Sequence, residues 1–209
     1  MSNNILIIGF GGHAKSVADC IIRNEQYNIV GYTDVEDKKA DFPYLGTDDV
    51  LKDLVKSHAA NAALGMGFMG GADIRDRIVE VAEKAGLRFP VIADPSAILA
   101  KNAAIGDGTF IGKRAVVNAE ATVGRFCIIN TGAIIEHENE IGDFSHIAVG
   151  ATLCGNVKVG RHCLIGAGTT VIQGVTIGDN CVIGAGSLVL GDVPSNSKVV
   201  GIVKGVKNE

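Results

Sequence analysis

An aliphatic residue occupies every sixth position from Leu99 to Val189 without a miss. The residue two positions earlier is usually small, as at Ala103, and a glycine often follows, as at Gly106. A period of six fits neither a helix nor simple strand alternation, so each hexapeptide is one short strand plus a turn. A β-sandwich would alternate at period two instead. The pattern predicts a three-sided parallel coil of roughly five turns, in which each aliphatic points inward and stacks on the residue eighteen positions further on.

Composition restricts the classes of function. The 209 residues are 47% hydrophobic, which is enough to bury a core and to build two modest domains. The net charge of -4, without a Lys/Arg cluster, argues against nucleic acid as a partner. No long apolar stretch and no signal-peptide pattern occurs, so we expect a cytoplasmic protein with no membrane insertion. Cys127, Cys163 and Cys181 occupy the small inward position and are expected to fill the core.

The first ninety residues alternate apolar runs with helical patterns. Strands are expected at 4–8, 28–33, 62–65 and 88–92, and helices at 13–23, 47–57 and 72–85. Such alternation predicts a small parallel sheet with helices on its faces. We therefore expect an α/β, half-Rossmann-like domain over residues 1–92, followed by the coil and a C-terminal tail over residues 93–209.

A glycine-rich turn lies between the first expected strand and helix. Residues 9–14 read GFGGHA and fit the fingerprint G-x-G-x-x-G/A, and Asp34 follows the second strand. Glycines there let a phosphate approach the helix N-terminus, and an acidic residue can bind a ribose hydroxyl. One half of a Rossmann fold has room for a single nucleotide, so a nucleoside diphosphate is the favoured ligand. A purely structural glycine turn is the alternative.

The densest polar interruption of the repeat is residues 136–140 (EHENE), in which His137 lies between the carboxylates of Glu136 and Glu138; His146 follows nine residues after His137, and Cys154 eighteen after Glu136. A histidine held by a carboxylate is a suitable general base near neutral pH. Taken alone, the same three residues also fit a solvated corner of the coil, so the pattern leaves both interpretations open.

Three segments around this corner resemble one family: residues 134–138 (IIEHE), 141–146 (IGDFSH) and 150–157 (GATLCGNV). Together with GFGGHA they are similar to the sialic acid O-acetyltransferase type of hexapeptide-repeat acyltransferases. That family includes bacterial enzymes that acetylate UDP-4-amino-4,6-dideoxy sugars. The resemblance implies a left-handed parallel β-helix, acetyl-CoA as co-substrate, no metal, and a homotrimer with its sites between neighbouring coils.

The resemblance also implies roles for single residues. His137 would be the general base and Glu138 would orient it. His146 and the backbone amide of Gly155 would contact the thioester of acetyl-CoA, where the amide would stabilise the oxyanion. The pantetheine arm would lie against Ala167 and Ala185. The uridine nucleotide would be held by Gly11, Gly12, His13, Asp34 and Gly65. The tail at 201–204 reads GIVK and lacks the proline that many relatives carry there.

The resemblance thus implies an N-acetyltransferase that acts on a UDP-linked amino sugar, and direct transfer is expected because no serine or cysteine lies next to His137 in the sequence. A covalent route through Cys154 is the mechanistic alternative. Three other functions stay open: O-acetylation of sialic acid or another carbohydrate hydroxyl, non-catalytic binding of a nucleotide sugar, and a zinc hydratase. The zinc enzyme would need three histidines that converge at a subunit interface, with one pair close in sequence. No two of the five histidines, His58 among them, are spaced by five.

Overall fold

The computed structural model describes residues 3–57, 60–68 and 73–205. The chain forms two compact units. The first contains the described residues up to Gly67 and from Asp73 to Pro95, and the second contains Phe68 and the chain from Ser96 onward. Among the described residues, no helix has the length and apolar character that crossing a membrane requires.

The first unit is built on a parallel four-stranded sheet. Its strands are β1 (Asn4–Ile8), β2 (Asn28–Thr33), β3 (Tyr44–Gly46) and β4 (Asn61–Leu64), in the spatial order β3-β2-β1-β4. The central strand β1 is the most buried, because its residues 5–8 are fully inaccessible. The helices are α1 (Gly12–Asn24), α2 (Leu51–Ser57) and α3 (Asp73–Ala85), and a 3₁₀ turn (Asp48–Val50) precedes α2. The expected alternation of strand and helix is confirmed.

Two local expectations differ from the structure. The strand expected at 88–92 is wrong: Arg88 makes one isolated bridge to Asn61, and only the short strand β5 (Ile92–Ala93) follows. Pro90 has no backbone N–H, so a continuous ladder cannot cross it. Strand β3 was not expected, because three residues directly after Pro43 carry too little pattern. The helix expected at 72–85 is α3, and Ala72 lies outside the described residues.

The second unit is a parallel β-solenoid of two-residue strands. Its strands at six-residue intervals are β6 (Ile98–Leu99), β7 (Ala104–Ile105), β8 (Phe110–Ile111), β9 (Val116–Val117), β10 (Thr122–Val123), β11 (Ile128–Ile129), β12 (Ile134–Ile135), β13 (Glu140–Ile141), β14 (His146–Ile147), β15 (Thr152–Leu153), β16 (Lys158–Val159), β17 (Leu164–Ile165), β18 (Thr170–Val171), β19 (Thr176–Ile177), β20 (Val182–Ile183) and β21 (Leu188–Val189). Every third strand pairs in parallel, eighteen residues apart, as Ile134 does with Val116 and Thr152. The expected three-sided coil is confirmed, and its hexapeptide repeat is that of left-handed β-helices.

The three sheets form three faces. Face I contains β6, β9, β12, β15, β18 and β21; face II contains β7, β10, β13, β16 and β19; face III contains β8, β11, β14, β17 and β20. The second residue of each pair points inward, and Ile129, Ile135 and Ile147 are fully buried. Burying each such side chain contributes about 1.5–3 kcal/mol. This column supports every corner of the coil.

The solenoid continues past the last residue of the strict period. Two further strands, β22 (Lys198–Val199) and β23 (Ile202–Val203), pair with β20 and β21. Their spacings are shorter than eighteen, since Val182 pairs with Lys198 and Leu188 with Ile202. The structure therefore has about six turns rather than five, because the last turn keeps the strand pairing but shortens its corners.

The inward cysteines predict a selective pattern of alkylation. Burial raises the pKa of the Cys163 thiol to about 12, and Cys127 and Cys181 are equally inaccessible. At pH 8 a thiol with this pKa is about 0.01% thiolate, which is the reactive form. Native protein treated with iodoacetamide should therefore be modified at the half-buried Cys154, while these three stay unmodified until the chain is unfolded. Peptide mass spectrometry checks this, and rapid native labelling of Cys163 would contradict the burial.

Candidate active site

One corner of the coil carries the Glu-His-Glu segment. Residues 136–139 join β12 on face I to β13 on face II. Glu138 adopts a left-handed conformation with φ 60°, as a residue does at nearly every corner of the solenoid. Its amide donates to the carbonyl of Ala119 on the previous turn, and the carbonyl of His137 accepts from the amide of Asn156 on the next. Backbone hydrogen bonds on both sides therefore hold this corner.

His137 and Glu138 form a hydrogen-bonded pair. The Nδ1 atom of His137 lies 3.0 Å from Oε2 of Glu138, and both side chains are 57% exposed. A carboxylate can only accept, so Nδ1 carries the proton and Nε2 keeps its lone pair. Once Nε2 takes up a proton, the same carboxylate stabilises the imidazolium. This arrangement is suited to a general base that faces solvent or a substrate.

Gly155 lies directly beside the imidazole of His137, one turn of the coil later. A Cβ atom at position 155 would lie 2.5 Å from both Cε1 and Nε2 of His137. Only glycine allows the ring to approach the backbone this closely. Among the described residues, none accepts a hydrogen bond from the amide of Gly155. The corner therefore combines a basic nitrogen with an adjacent uncommitted backbone donor.

Two asparagines, the fully buried Asn139 and the half-buried Asn118, stabilise this corner. Asn139 is fully buried, its Nδ2 donates to the carbonyl of Leu153 at 3.3 Å, and its Oδ1 accepts from the amide of Val157 at 2.5 Å. Asn118 Nδ2 donates to Oε2 of Glu136 at 3.0 Å. Sequence reasoning placed Asn139 in the polar interruption without a role, and it did not single out Asn118. The signal was present for Asn139, because position 139 breaks the run of small inward residues.

His146 lies elsewhere on the solenoid. It belongs to β14 on face III, whereas His137 lies at the corner between faces I and II, so one chain does not bring the two rings together. His146 is 8% exposed; its Nδ1 donates to the carbonyl of Phe68 at 2.8 Å, and its Nε2 accepts from Nδ2 of Asn130 at 3.1 Å. The Oδ1 of Asn130 accepts from the amide of Thr131, which sets the orientation of that amide. Both ring nitrogens are thus engaged, and contact with acetyl-CoA stays a prediction.

Ala167 and Ala185 share one corner, between faces III and I. Both are exposed and lie at the same position of successive turns. Their small side chains leave space along this edge, as a slot for a narrow chain requires. This is not the corner of His137, so the predicted pantetheine contacts need a second copy of the chain to meet that corner.

The first unit contains a pocket of about 690 Å³ at the start of α1. Gly11 and Gly12 lie at its edge, and the space above both glycines is open. Its remaining lining is Phe10, Lys15, Ala18, Asp19, Ile22, Lys38, Lys39, Ala40, Asp41 and Phe42. Helix N-terminal amides and three lysines suit phosphate groups, and the aromatic and aliphatic side chains suit a base or a sugar. Sequence reasoning predicted the two glycines and missed the segment 38–42.

Tyr32 holds that segment in place. Its buried hydroxyl donates to Oδ1 of Asp37 at 2.6 Å and accepts from the amide of Lys38 at 2.8 Å. The hydrogen bond from Tyr32 holds the pKa of Asp37 below its ordinary value, and burial raises the pKa of Tyr32. The ring of Phe10 packs on Tyr32 and on Phe42, with centroids 4.5 and 5.8 Å apart. One wall of the pocket is therefore built on the end of β2.

The remaining predicted nucleotide residues are placed differently. Asp34 accepts from the amides of Phe10 and Val35, each at 2.7 Å, so its carboxylate shapes the glycine turn. Gly65 packs under that turn, because a Cβ there would lie 2.1 Å from the carbonyl oxygen of Gly9. His13 is half-buried on the first turn of α1. None of these three lines the pocket, and their contacts with a nucleotide stay predictions.

No metal cluster is found in the described part of the chain: no three His, Cys, Asp or Glu side chains there converge closely enough to hold an ion. His58, one of the histidines considered for zinc, lies outside the described residues.

Each half of the chain matches the model of a known protein family. The model of the PglD N-terminal domain matches residues 4–82, and the model of the hexapeptide repeat of succinyl-transferase matches residues 103–136 and 156–190. No curated protein matches the chain.

Three solved structures illustrate the similarity over the full length. The acetyltransferase domain of PglB from Neisseria gonorrhoeae, in complex with acetyl coenzyme A, is 31% identical, with a TM-score of 0.88 over 96% of this chain and 97% of that one. A histidine-to-alanine mutant of GDP-perosamine N-acetyltransferase from Caulobacter crescentus, in complex with CoA and GDP-perosamine, is 28% identical, with a TM-score of 0.89 over 95% and 93%. WeeI from Acinetobacter baumannii AYE, at 19% identity and a TM-score of 0.73 over 94% and 96%, shares the fold.

Both family models and the likeness to the PglB domain agree with the resemblance carried by the motifs around His137. Matched coverage is nearly complete in both directions, so the likeness includes the α/β unit as well as the solenoid. The chain belongs to the nucleotide-sugar acetyltransferases of the hexapeptide-repeat family.

Proposed function

We propose that this protein transfers the acetyl group of acetyl-CoA to the amino group of a UDP-linked 4-amino-4,6-dideoxy sugar, with His137 as the general base. The observation that carries the proposal is the corner where the imidazole of His137 packs against Gly155, whose backbone amide is uncommitted. A basic nitrogen and an oxyanion donor side by side are what acyl transfer to an amine needs. The bound CoA and GDP-perosamine of the Caulobacter enzyme support the same class of substrates.

The proposed step is direct. The neutral amine of the sugar attacks the carbonyl carbon of the thioester and forms the C–N bond, while the carbonyl electrons move to oxygen. The amide of Gly155 donates to this oxyanion, which is worth about 10²–10³ in rate in comparable sites. His137 Nε2 takes the proton that the attacking nitrogen loses. The C–S bond then breaks, and the leaving CoA thiolate receives the proton, which restores neutral His137.

The pocket of the first unit is the proposed site for the nucleotide. The open N-terminus of α1 at Gly11 and Gly12, together with Lys15 and Lys39, supplies the donors and positive charge that a diphosphate needs. This chemistry is common to every nucleoside diphosphate sugar. The resemblance favours UDP and the Caulobacter enzyme uses GDP, so the identity of the base is the part of the proposal that an assay must decide.

A thiol-release assay tests the proposal. Purified full-length protein is mixed with acetyl-CoA and, in separate reactions, with UDP-, GDP- and dTDP-linked 4-amino-4,6-dideoxy sugars, CMP-sialic acid and free sialic acid. We expect thiol release with the UDP-amino sugar and an amide in the product. Thiol release with the GDP-linked sugar alone would show that the enzyme uses a GDP-linked and not a UDP-linked substrate. Release with sialic acids alone, and an ester in the product, would contradict N-acetylation.

We further propose that the active form is a homotrimer. The outward residues of face I are aliphatic or threonine on every strand, namely Ile98, Val116, Ile134, Thr152, Thr170, Leu188 and Ile202. On face II, by contrast, Glu140 and Lys158 form an ion pair at 2.9 Å. A solvent-facing sheet carries charges, whereas a sheet that another subunit covers does not need them. His137 and His146 also lie on different sides of one coil, so a shared site needs a neighbouring copy.

Charge placed on face I should therefore dissociate the assembly. We expect light scattering to give three times the 21.6 kDa of one chain for the parent protein. Leu188→Glu buries a charge in the proposed interface and should shift the protein to monomer with loss of turnover. Thr176→Glu on face II is the matched control and should stay trimeric. A monomeric parent, or a trimeric Leu188→Glu protein, would rule out this interface.

A further inference from the structure

Successive turns of the coil place Asn118, Glu136 and Cys154 at one position of the corner that carries His137, eighteen residues apart. In the first two, the side chain accepts a hydrogen bond from the amide of the next residue. Asn118 Oδ1 accepts from Ala119 N at 2.9 Å, and Glu136 Oε2 accepts from His137 N at 3.3 Å. Asn130, at a different corner, accepts from the amide of Thr131 at 2.8 Å in the same way. At this position of the coil, a side-chain oxygen can therefore accept a hydrogen bond from the amide of the following residue.

Position 154 breaks this pattern. The side chain of Cys154 has no oxygen, and its sulfur is a much weaker hydrogen-bond acceptor than an amide or carboxylate oxygen. No described residue accepts from the amide of Gly155, the next residue, although Ala119 and His137 donate theirs on the two preceding turns. The same glycine is the one on which an added Cβ would lie 2.5 Å from the imidazole of His137. The only uncommitted amide of these three is therefore the one beside the general base.

We propose that the absence of a strong hydrogen-bond acceptor in the side chain at position 154 keeps the amide of Gly155 available for the transition state, an inference that rests on the proposed acetyl transfer. An oxygen-bearing side chain at position 154 would occupy that amide in the ground state. The transition state would then have to displace an existing hydrogen bond before the oxyanion could receive one. The thiol itself forms no bond to the acetyl group, and the role needs only a small side chain without a strong acceptor.

The test compares three substitutions in the full-length protein. Cys154→Ala removes the sulfur, Cys154→Val adds bulk without an acceptor, and Cys154→Asn adds an acceptor at similar size. We expect kcat to stay within about threefold for Ala and Val, and to fall by about 10- to 100-fold for Asn. The KM for the nucleotide sugar should change little, because the amide acts on the acetyl oxygen. Cys154→Asp carries the same acceptor and replaces the Asn variant if that one does not fold.

A crystal structure of Cys154→Asn supplies a readout independent of turnover. We expect its Oδ1 atom to lie about 2.9 Å from the amide nitrogen of residue 155, as in the Asn118 pair. Equal losses of kcat for Val and Asn would overturn the inference in favour of size, and a large loss for Ala would overturn it in favour of sulfur chemistry. An unaffected Asn variant would overturn it as well. A parent protein that acetylates none of the nucleotide amino sugars would refute the proposed function instead. In that case the crystal structure of Cys154→Asn still shows whether its Oδ1 accepts a hydrogen bond from the amide of residue 155.

Discussion

Replacement of His137 by alanine is expected to lower kcat by about 10²- to 10⁴-fold, the usual contribution of a positioned general base. The 3.0 Å contact between Nδ1 of His137 and Glu138 fixes the tautomer of the ring, so that Nε2 is the basic nitrogen at this corner. Without it, the proton of the attacking nitrogen must go to water. The KM for acetyl-CoA should change by less than the rate, because the imidazole acts on the acceptor amine. Steady-state thiol release with both substrates varied measures the two effects.

Two variants separate this loss from a general disturbance of the coil. Glu138→Gln keeps the size of the side chain and removes its charge, so a smaller loss of about tenfold is expected, since the imidazolium loses its carboxylate. His162→Asn is the control, because His162 lies at a different corner of the coil, at φ 54°, a conformation that asparagine tolerates. It should keep full turnover. A His137→Ala protein within about threefold of the parent would leave His137 with no catalytic role.

Replacement of Gly155 by alanine is expected to lower kcat by about 10²-fold without unfolding the solenoid. The added Cβ would lie 2.5 Å from Cε1 and Nε2 of His137, so the ring must shift by about an ångström. A displacement of this size at a reacting group typically costs about that much in rate. The φ of Gly155 is not among the positive values, so alanine adds little backbone strain. The variant should therefore lose most of its kcat while its thermal unfolding temperature falls only slightly.

Gly174→Asn provides the control for a side chain added to the same corner. Gly174 lies one turn further along, at φ 72°, with open space where a Cβ would be built. Asn156 occupies the corresponding position on the turn before it, at φ 55°. We expect this variant to keep its turnover and its unfolding temperature. Wild-type kcat in Gly155→Ala would show that the ring of His137 need not lie against the backbone for the reaction.

The repeat made the solenoid predictable from sequence, because sixteen aliphatic residues at six-residue intervals all indicate the same inward packing. The last turn was harder to foresee. Once the corners shorten, as between Val182 and its partner Lys198, the period no longer marks the strands. The expected strand at 88–92 failed for a related reason, since short apolar runs next to a proline are compatible with several conformations.

The candidate site was predictable in part. Motifs identified His137, Glu138 and Gly155, and the structure brings these three together. Sequence could not show that Asp34 bonds to the glycine turn, or that both nitrogens of His146 are engaged, because these partners depend on tertiary contacts. The segment 38–42 carries no periodic pattern, so its place on the pocket was also invisible. Motif reasoning gave no role to the half-buried Asn118 or to the fully buried Asn139.

The role of His137 is tested most directly by a crystal structure of the complete assembly with CoA and the nucleotide amino sugar bound. The measured quantity is the distance from the sugar amine nitrogen to Nε2 of His137. We predict about 2.6–3.2 Å, or the same reach through one water molecule. The amide of Gly155 should at the same time face the position of the acetyl oxygen. An amine bound away from this corner, with His137 in open solvent, would contradict the assignment of the active site.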